Sequence, residues 1–550
     1  MRKIVRADPV KQFLSGDTGK AKMALTLSVP ALSARAPADV ELRPATVERW
    51  LAELPLLNVA ETSRKLLGTL TAYNRMAMED RLRLALIELY RGPLRQISLE
   101  LKKQYLGLPL PLSEKHKATA EQNFRLHAEM AYGYKRIASN VEAGTGLRPN
   151  EASLAIHRAI RYLTETLAVC YETYSPLPPG AWQEIHALFR HAESLGSEEK
   201  PLSDSLNTTT PSTSIGHAYK QALLLDLSDP YHLPARLIER IYRYLDRWAG
   251  KAVIAPFAAA SESACLFVID QDSDRSGMAY TSDIAIERPE QHRLLNTVEL
   301  ARIVHAHWTA AQEGRAIDPE GLEEHFFAND AQELLQRLIH AWGLIPKRTF
   351  RRDTQSDGKM DVIVGLDAIH RRLHGREKVI EEPRVPEEPA PYAEPQDLEP
   401  ATWEVQDESA GGFALAQRGE IRTRVGVGSL VGNRRSGASG AWAVGAIRWV
   451  KSAGPSEVQI GLERLAPNAE PAAIAFLIGG DWDETFQAAL RLPEIPALKQ
   501  KPSLITHRGV YKPGRELYLK TAAGLYKIKI TRALEITASF ERLDYKLVKP

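Results

Sequence analysis

The sequence predicts a multidomain α+β protein with an N-terminal all-α helical domain, a small mixed segment, a small β-barrel and a second, C-terminal β-rich block that could form a further barrel. Three observations lead to this prediction. The chain has 550 residues, which is too long for one ordinary core at about 150 residues per domain. Apolar residues recur with a helical period in the first half of the chain. From Lys347 onwards, short β-rich segments are separated by Gly, Ser or Pro.

Changes in composition and in the period of the apolar residues set the predicted domain boundaries. Residues 1–40 mix Pro, Ala, Ser and charge without a clear period, and we interpret them as a poorly ordered lead-in. Residues 41–250 carry the helical pattern of a bundle or short solenoid, and residues 251–340 mix helix and strand patterns. The barrel is predicted over residues 341–466, and a helix followed by the second β-rich block over residues 467–550.

Four local predictions complete this outline. Thr46 is expected to cap the first helix. Residues 198–212 are polar and are expected to form an exposed loop. Residues 376–400 are crowded with Pro and Glu, which predicts a disordered or extended loop inside the barrel region. The segment DETFQAALRL, residues 483–492, is expected to be the helix that precedes the C-terminal strands.

Composition and charge exclude several classes of protein. The net charge of +2 provides no strong field for DNA or a membrane surface. The two cysteines, Cys170 and Cys265, lie far apart, which argues against a disulfide scaffold and fits a reducing compartment. The N-terminus lacks the apolar core of a signal peptide, and the longest apolar stretch, near Ala472–Gly480, is far shorter than a membrane helix. We therefore expect a cytoplasmic protein without membrane insertion.

Two short motifs carry the predicted chemistry. Arg348 and Arg352 lie four positions apart at the predicted junction between helix and barrel. The second motif, Asp407-x-Ser409-x-x-Gly412, combines acceptors and a hydroxyl with glycine, which permits a tight turn and close backbone approach. Arginine's planar fork can hold a phosphate, meet the O6/N7 edge of guanine or stack on the base, and a carboxylate can accept from the donor edge of guanine.

Together with the strand Trp442–Val450, which reads WAVGAIRWV, these motifs resemble the PilZ domain family. The signature of that family is R-x-x-x-R, then D/N-x-S-x-x-G, then a strand of the type W-x-x-G-x-V-R-W-V. The resemblance covers residues 341–466. The gap between the first two motifs is longer than the family's usual spacing, and the Pro/Glu-rich segment fills it.

The resemblance implies a receptor that binds the bacterial messenger cyclic di-GMP, with no cofactor and no metal. It implies that the arginine stretch wraps over the barrel when the ligand arrives, which would couple binding to the helical region and an unidentified protein partner in motility or biofilm control. It implies ligand binding by Arg348, Arg351, Arg352, Asp407, Ser409, Gly412 and Arg448.

Two other functions stay open, and catalysis is not expected. The barrel could be a degenerate member of the family that serves only protein–protein contact, although the motifs are intact. It could also bind RNA, but the near-neutral charge and the absence of an aromatic stripe disfavour this. Gly479-Gly480-Asp481 is similar to the start of the signature of cyclic di-GMP synthases but lacks the Glu-Phe that follows, so we expect no enzyme.

Overall fold

The structure is a computed structural model. It describes residues 25–33, 40–140, 147–207, 211–260, 264–315, 317, 331–343, 358–374, 399–454, 456–478, 481–482, 485–494 and 500–548.

An all-α domain occupies the N-terminal part of the described chain, as the helical period predicts. The helices bury their apolar residues; in the last of them, for example, Ile238, Ile241 and Leu245 are fully buried. The first helix begins at Pro44, before the predicted cap Thr46, because proline suits the first turn of a helix. The helices are α1 Pro44–Ala52, α2 Val59–Asn74, α3 Asp80–Tyr105, α4 Glu114–Asn140, α5 Pro149–Glu172, α6 Ala181–Ser194, α7 Ile215–Leu227 and α8 Ala235–Trp248.

Part of the predicted lead-in lies against this domain. Residues 25–33 are described, and the Ser33 amide donates to the Arg75 carbonyl at 2.6 Å. The Lys135 ammonium donates to Ser28 Oγ at 3.2 Å. These contacts fix the extended segment on the surface of the helices.

The predicted exposed polar loop between α6 and α7 is more ordered than expected. It contains a short antiparallel pair, β1 Leu202–Ser203 and β2 Ser212–Thr213. Asp204 between them is buried, and its two carboxylate oxygens each lie 2.7 Å from a guanidinium, that of Arg91 and that of Arg158. The prediction of a simple exposed loop was wrong here because a buried carboxylate with two arginine partners draws the segment into the domain.

The mixed segment packs on the helical domain and shares its core. Its sheet has the strand order β3-β6-β4-β5. The buried Trp342 donates its indole N–H to the Leu224 carbonyl at 3.0 Å. The elements are β3 Val253–Pro256, β4 Leu266–Asp270, β5 Met278–Ala279, β6 His292–Asn296, α9 Val298–Gln312 and α10 Ala331–Gly343.

A closed barrel follows, which confirms the predicted small barrel. Its strands pair in the cyclic order β10-β11-β12-β9-β8-β7, and every pairing is antiparallel. A helix after the first strand was not predicted, and most of the Pro/Glu-rich loop (375–398) lies outside the described residues. The elements are β7 Lys359–Val364, α11 Leu366–His374, β8 Ala401–Ser409, β9 Gly412–Arg418, β10 Leu430–Arg435, β11 Ala443–Gly454 and β12 Glu457–Ala466.

The C-terminal block is also a closed barrel. β13 pairs with both β15 and β17, which closes a ring in the order β13-β15-β16-β19-β18-β17. Its elements are β13 Glu470–Ile478, β14 Asp481–Trp482, β15 Gln487–Leu492, β16 Ser503–Thr506, β17 Glu516–Thr521, β18 Gly524–Ile536 and β19 Glu541–Leu547.

The predicted helix over residues 483–492 was wrong. Gln487–Leu492 is a strand, with Leu490 and Leu492 in the core between the two barrels and Ala489 in the core inside the C-terminal barrel. Alanine, leucine, glutamine and arginine favour helices locally, but a strand between two other strands buries residues on both faces, and that burial dominates.

The domains contact each other through apolar residues. Leu110 and Tyr174 of the helical domain belong to the core cluster of the middle barrel. Trp442 of the middle barrel, Ile369 of α11 and Phe540 of the C-terminal barrel belong to one further cluster between the barrels. Within the parts of the chain that the structure describes, no helix combines the length and apolar character that crossing a bilayer requires.

Candidate ligand-binding site

The motif Asp407-x-Ser409-x-x-Gly412 forms the hairpin between β8 and β9. Ser409 and Gly412 face each other as the last pair of the two strands, and Ala410 and Gly411 form the turn between them. The Ser409 hydroxyl donates to the Gly412 carbonyl at 3.4 Å. The motif is therefore a two-residue hairpin at one end of the middle barrel.

Asp407 follows an irregularity in this hairpin. Val405 pairs with Leu415 but Asp407 pairs with Ala414, so the register shifts between them. Such a bulge changes the direction in which the following side chains point. Asp407 is half-buried, whereas Val405 points into the barrel core.

Gly412 is required by the packing of the barrel itself. A Cβ at this position would overlap the carbonyl of Leu462 on the neighbouring strand β12. Only glycine lets β9 and β12 approach this closely. The sequence predicted glycine for close approach to a ligand, and the structure adds a requirement from strand pairing.

Gly358, the first described residue after the arginine stretch in the sequence, lies at the same end of the barrel. Arg348, Arg351 and Arg352 lie outside the described residues, but the chain re-enters the structure at Gly358. The Gly358 carbonyl accepts from the Val405 amide at 2.9 Å, just before the hairpin. Gly358 follows Arg352 by six positions in the sequence, and six Cα–Cα steps of an extended chain reach at most about 20 Å.

We call this end of the middle barrel the hairpin end; it comprises Gly358, Ser409–Gly412, Arg435 and Arg464. Arg435 is the last residue of β10, and the Arg464 amide donates to the Gly411 carbonyl at 2.9 Å. Both guanidinium groups form ion pairs with Glu408. Sequence reasoning missed this cluster because Glu408, Arg435 and Arg464 come from three different strands, β8, β10 and β12.

Arg448 does not lie at the hairpin end. It is in the middle of β11, and its guanidinium forms ion pairs with Glu463 and with Glu535 of the C-terminal barrel. Burial lowers the pKa of Arg448, but the two carboxylates outweigh it and raise the pKa above its usual value. The structure brings Asp407, Ser409 and Gly412 together and places Arg448 between domains, so its ligand contact stays a prediction.

The helical domain covers the opposite end of the barrel, which we call the docked end; it comprises Arg418, Val425, Leu430, Ser452 and Glu457. Leu110 and Val425 exchange backbone hydrogen bonds of 2.8 and 2.9 Å. The Ser452 amide donates to the carbonyl of Tyr174 at 2.8 Å. The candidate site and the helical domain are therefore at opposite ends of the same strands.

Comparisons with protein-family models assign each part of the chain a counterpart. Residues 45–259 match the model described as "Cyclic-di-GMP receptor FimW, N-terminal domain". Residues 266–399 and 381–471 match "Cyclic-di-GMP receptor FimW, middle PilZ domain". Residues 474–548 match "FimW C-terminal beta-barrel domain". These three matches follow the order of the domains in the structure.

A curated protein is similar to the chain over nearly its whole length. The cyclic-di-GMP receptor FimW of Pseudomonas aeruginosa is 25% identical over an alignment of 592 positions, which covers 96% of this chain and 94% of the relative. The similarity therefore extends through the helical domain and both barrels.

Proposed function

Since the chain is a multidomain protein with a PilZ domain between a helical domain and a second barrel, we propose that it is a receptor for cyclic di-GMP. The family models confirm the resemblance drawn from the motifs. The matched models and the relative describe a receptor rather than an enzyme, in agreement with the prediction.

One observation carries the proposal: the hairpin and Gly358, the first described residue after the arginine stretch in the sequence, lie at the same end of the barrel. The hydrogen bond between Gly358 and Val405 holds Gly358 beside the hairpin that bears Asp407. The ligand has two phosphates and two guanines, and the residue types match these groups. Arg348, Arg351 and Arg352 supply cationic donors for phosphate and base, and Asp407 supplies a carboxylate for the donor edge of guanine.

Ser409 and Gly412 are proposed to complete this site. The Ser409 hydroxyl already donates to the Gly412 carbonyl at 3.4 Å, a long hydrogen bond that a phosphate oxygen can replace at low cost. Gly412 keeps the start of β9 without a side chain. A ligand contact of Arg448 is part of the sequence prediction, and its two carboxylate partners make it the residue to test separately.

Ligand binding is proposed to act on the domains around the middle barrel. The helical domain holds the docked end, and the C-terminal barrel is paired with the side of β11 through Arg448. A change in the arginine stretch would alter how the middle barrel sits on the helical domain, which then presents a different surface to a protein partner. Motility or biofilm control in the cytoplasm is the expected setting, and the free thiols Cys170 and Cys265 suit a reducing compartment.

Isothermal titration of the full chain with cyclic di-GMP tests the receptor function. We expect saturable binding, which Arg348→Ala and Arg352→Ala each weaken by about tenfold to a hundredfold, because a charge-assisted hydrogen bond contributes about 1.5–3 kcal/mol. Arg422→Ala is the matched control, since Arg422 is exposed and forms its ion pair with nearby Glu420. If no heat of binding is measured at tens of micromolar protein, a degenerate barrel that serves only protein–protein contact becomes the better interpretation.

A further inference from the structure

We propose that Arg435 and Arg464 are two additional ligand-binding residues at the hairpin end, and that Glu408 holds them until a phosphate of the ligand takes the place of its carboxylate. This inference rests on the proposed cyclic di-GMP site and deepens it. Every residue in it belongs to the described part of the chain.

The first support is the way in which Glu408 is bound. Its Oε1 lies 2.7 Å from Arg464 Nη2, and its Oε2 accepts from Arg435 Nη2. Each carboxylate oxygen therefore takes a different guanidinium. Phosphate oxygens can bridge two arginines in the same manner, so the carboxylate occupies the position that suits an anionic group of the ligand.

The second support is the ring below the two arginines. The Arg464 guanidinium carbon lies 4.2 Å from the centroid of Phe413, and that of Arg435 lies 5.9 Å from it. The face of an aromatic ring attracts cations and orients planar guanidinium groups. Phe413 therefore keeps both arginines in place without using the donors that would bind an anion.

The third support is the position of the pair beside the motifs. The Arg464 backbone is hydrogen-bonded to Gly411 in the turn of the hairpin. Arg435 lies so close to Gly358 that a Cβ there would overlap its guanidinium. Arg464 therefore lies beside the turn of the hairpin, and Arg435 lies beside Gly358.

The exposure of these side chains allows exchange with a ligand. The side chains of Glu408, Arg435 and Arg464 are 29%, 44% and 36% exposed. Exposed ion pairs of this kind contribute little to the stability of the protein. A phosphate that takes the place of the Glu408 carboxylate beside the two arginines therefore costs the protein little free energy. The neighbouring Arg434 is different: it is 14% exposed, lies 3.6 Å from Asp361 and packs over Trp442, which suits a structural role.

Titration calorimetry of the full-length variants with cyclic di-GMP tests the inference. We expect Arg435→Ala and Arg464→Ala each to weaken binding by about tenfold, because each loses a charge-assisted contact. Glu408→Gln should tighten binding by about threefold to tenfold, because the amide no longer competes as an anion. Arg422→Ala on the distant loop should bind as the wild type does.

The outcomes separate this inference from the receptor function. If the wild type binds and the two arginine variants bind equally well, the added contacts are refuted while the receptor function stands. If Glu408→Gln weakens binding, the displacement of Glu408 is refuted. If the wild type does not bind cyclic di-GMP, both proposals fall. Arg435→Lys and Arg464→Lys keep the charge, and their partial loss of affinity would support bidentate contacts should an alanine variant fail to fold.

Discussion

Arg448 of the middle barrel and Glu535 of the C-terminal barrel form an ion pair across the boundary between the two barrels. Arg448 also binds Glu463 of its own barrel, so one guanidinium joins two carboxylates from different domains. Arg542, which pairs with Glu535 in the register of β18 and β19, adds a second cation beside the same two carboxylates. The pair therefore stabilises the contact between the barrels electrostatically.

Arg448→Ala should lower the free energy of unfolding by about 1–2 kcal/mol, because a charge-assisted contact is lost and its value is reduced by partial exposure. Chemical denaturation of the full chain measures this, with Arg422→Ala as the control. The same variant decides the sequence prediction of a ligand contact. A loss of cyclic di-GMP affinity at unchanged stability would support that contact, and an unchanged midpoint would contradict the role between the barrels.

Asp407→Asn should weaken cyclic di-GMP binding by about tenfold or more, because asparagine keeps the shape of the side chain but removes the anionic acceptor. Calorimetry measures the affinity, and thermal unfolding shows whether the hairpin is intact. Glu420→Gln removes a carboxylate that is 77% exposed and pairs with Arg422, and it should leave the affinity unchanged. Equal affinities of Asp407→Asn and the wild type would remove Asp407 from the site.

Gly412→Ala should destabilise the protein by roughly 1–3 kcal/mol, because the added methyl group overlaps the Leu462 carbonyl and forces β9 away from β12. Gly440→Ala is the control, since nothing lies within 4 Å of a Cβ there. Denaturant titration of both variants gives the comparison. Loss of ligand affinity with wild-type stability would instead assign Gly412 to ligand contact alone.

Acid should destabilise the helical domain before most carboxylates titrate. Burial lowers the pKa of His127 from 6.5 to about 4 in the folded protein. Between these values the unfolded chain binds the proton and the folded chain does not, so the free energy of unfolding falls as pH decreases from about 6.5 to 4. At neutral pH His127 is uncharged in both states and causes no loss of stability. On acidification it lowers the free energy of unfolding by at most about 3 kcal/mol.

His127→Gln should therefore reduce the pH dependence of stability over this range, whatever it does to stability at pH 7. Denaturant titrations at pH 7 and pH 4.5 give the difference for each protein. His340→Gln, at an exposed histidine of α10, is the control substitution. An unchanged slope in His127→Gln would mean that His127 has the same pKa in the folded and the unfolded chain, which would contradict the prediction.

The order of helices, mixed segment and two barrels could be predicted because helical and alternating periods are local properties of the sequence. α11 was missed because its apolar residues, such as Leu366 and Ile369, pack between two barrels that only tertiary contact brings together. Strand Gln487–Leu492 was mistaken for a helix for the same reason: burial on both faces overrides local preference.

The candidate site also has one part that a local motif predicts and another part that only tertiary contact brings together. The hairpin of Asp407, Ser409 and Gly412 is local and could be predicted from its motif. The Glu408 cluster depends on the closure of the barrel, which brings Arg435 and Arg464 to the same end. The partner of Arg448, Glu535, lies 87 positions away in another domain, so no pattern near Arg448 indicates it.

The twelve residues of β11 form one continuous rail of contacts that reaches both the helical domain and the C-terminal barrel. Val444 lies in the apolar cluster between the barrels, Arg448 reaches the C-terminal barrel and Ser452 is bonded to the helical domain. Substitutions along this rail should therefore disturb several domain contacts at once. Variants that separate messenger binding from output are better sought in the turn of the β8–β9 hairpin, which is hydrogen-bonded to Arg464 of the same barrel.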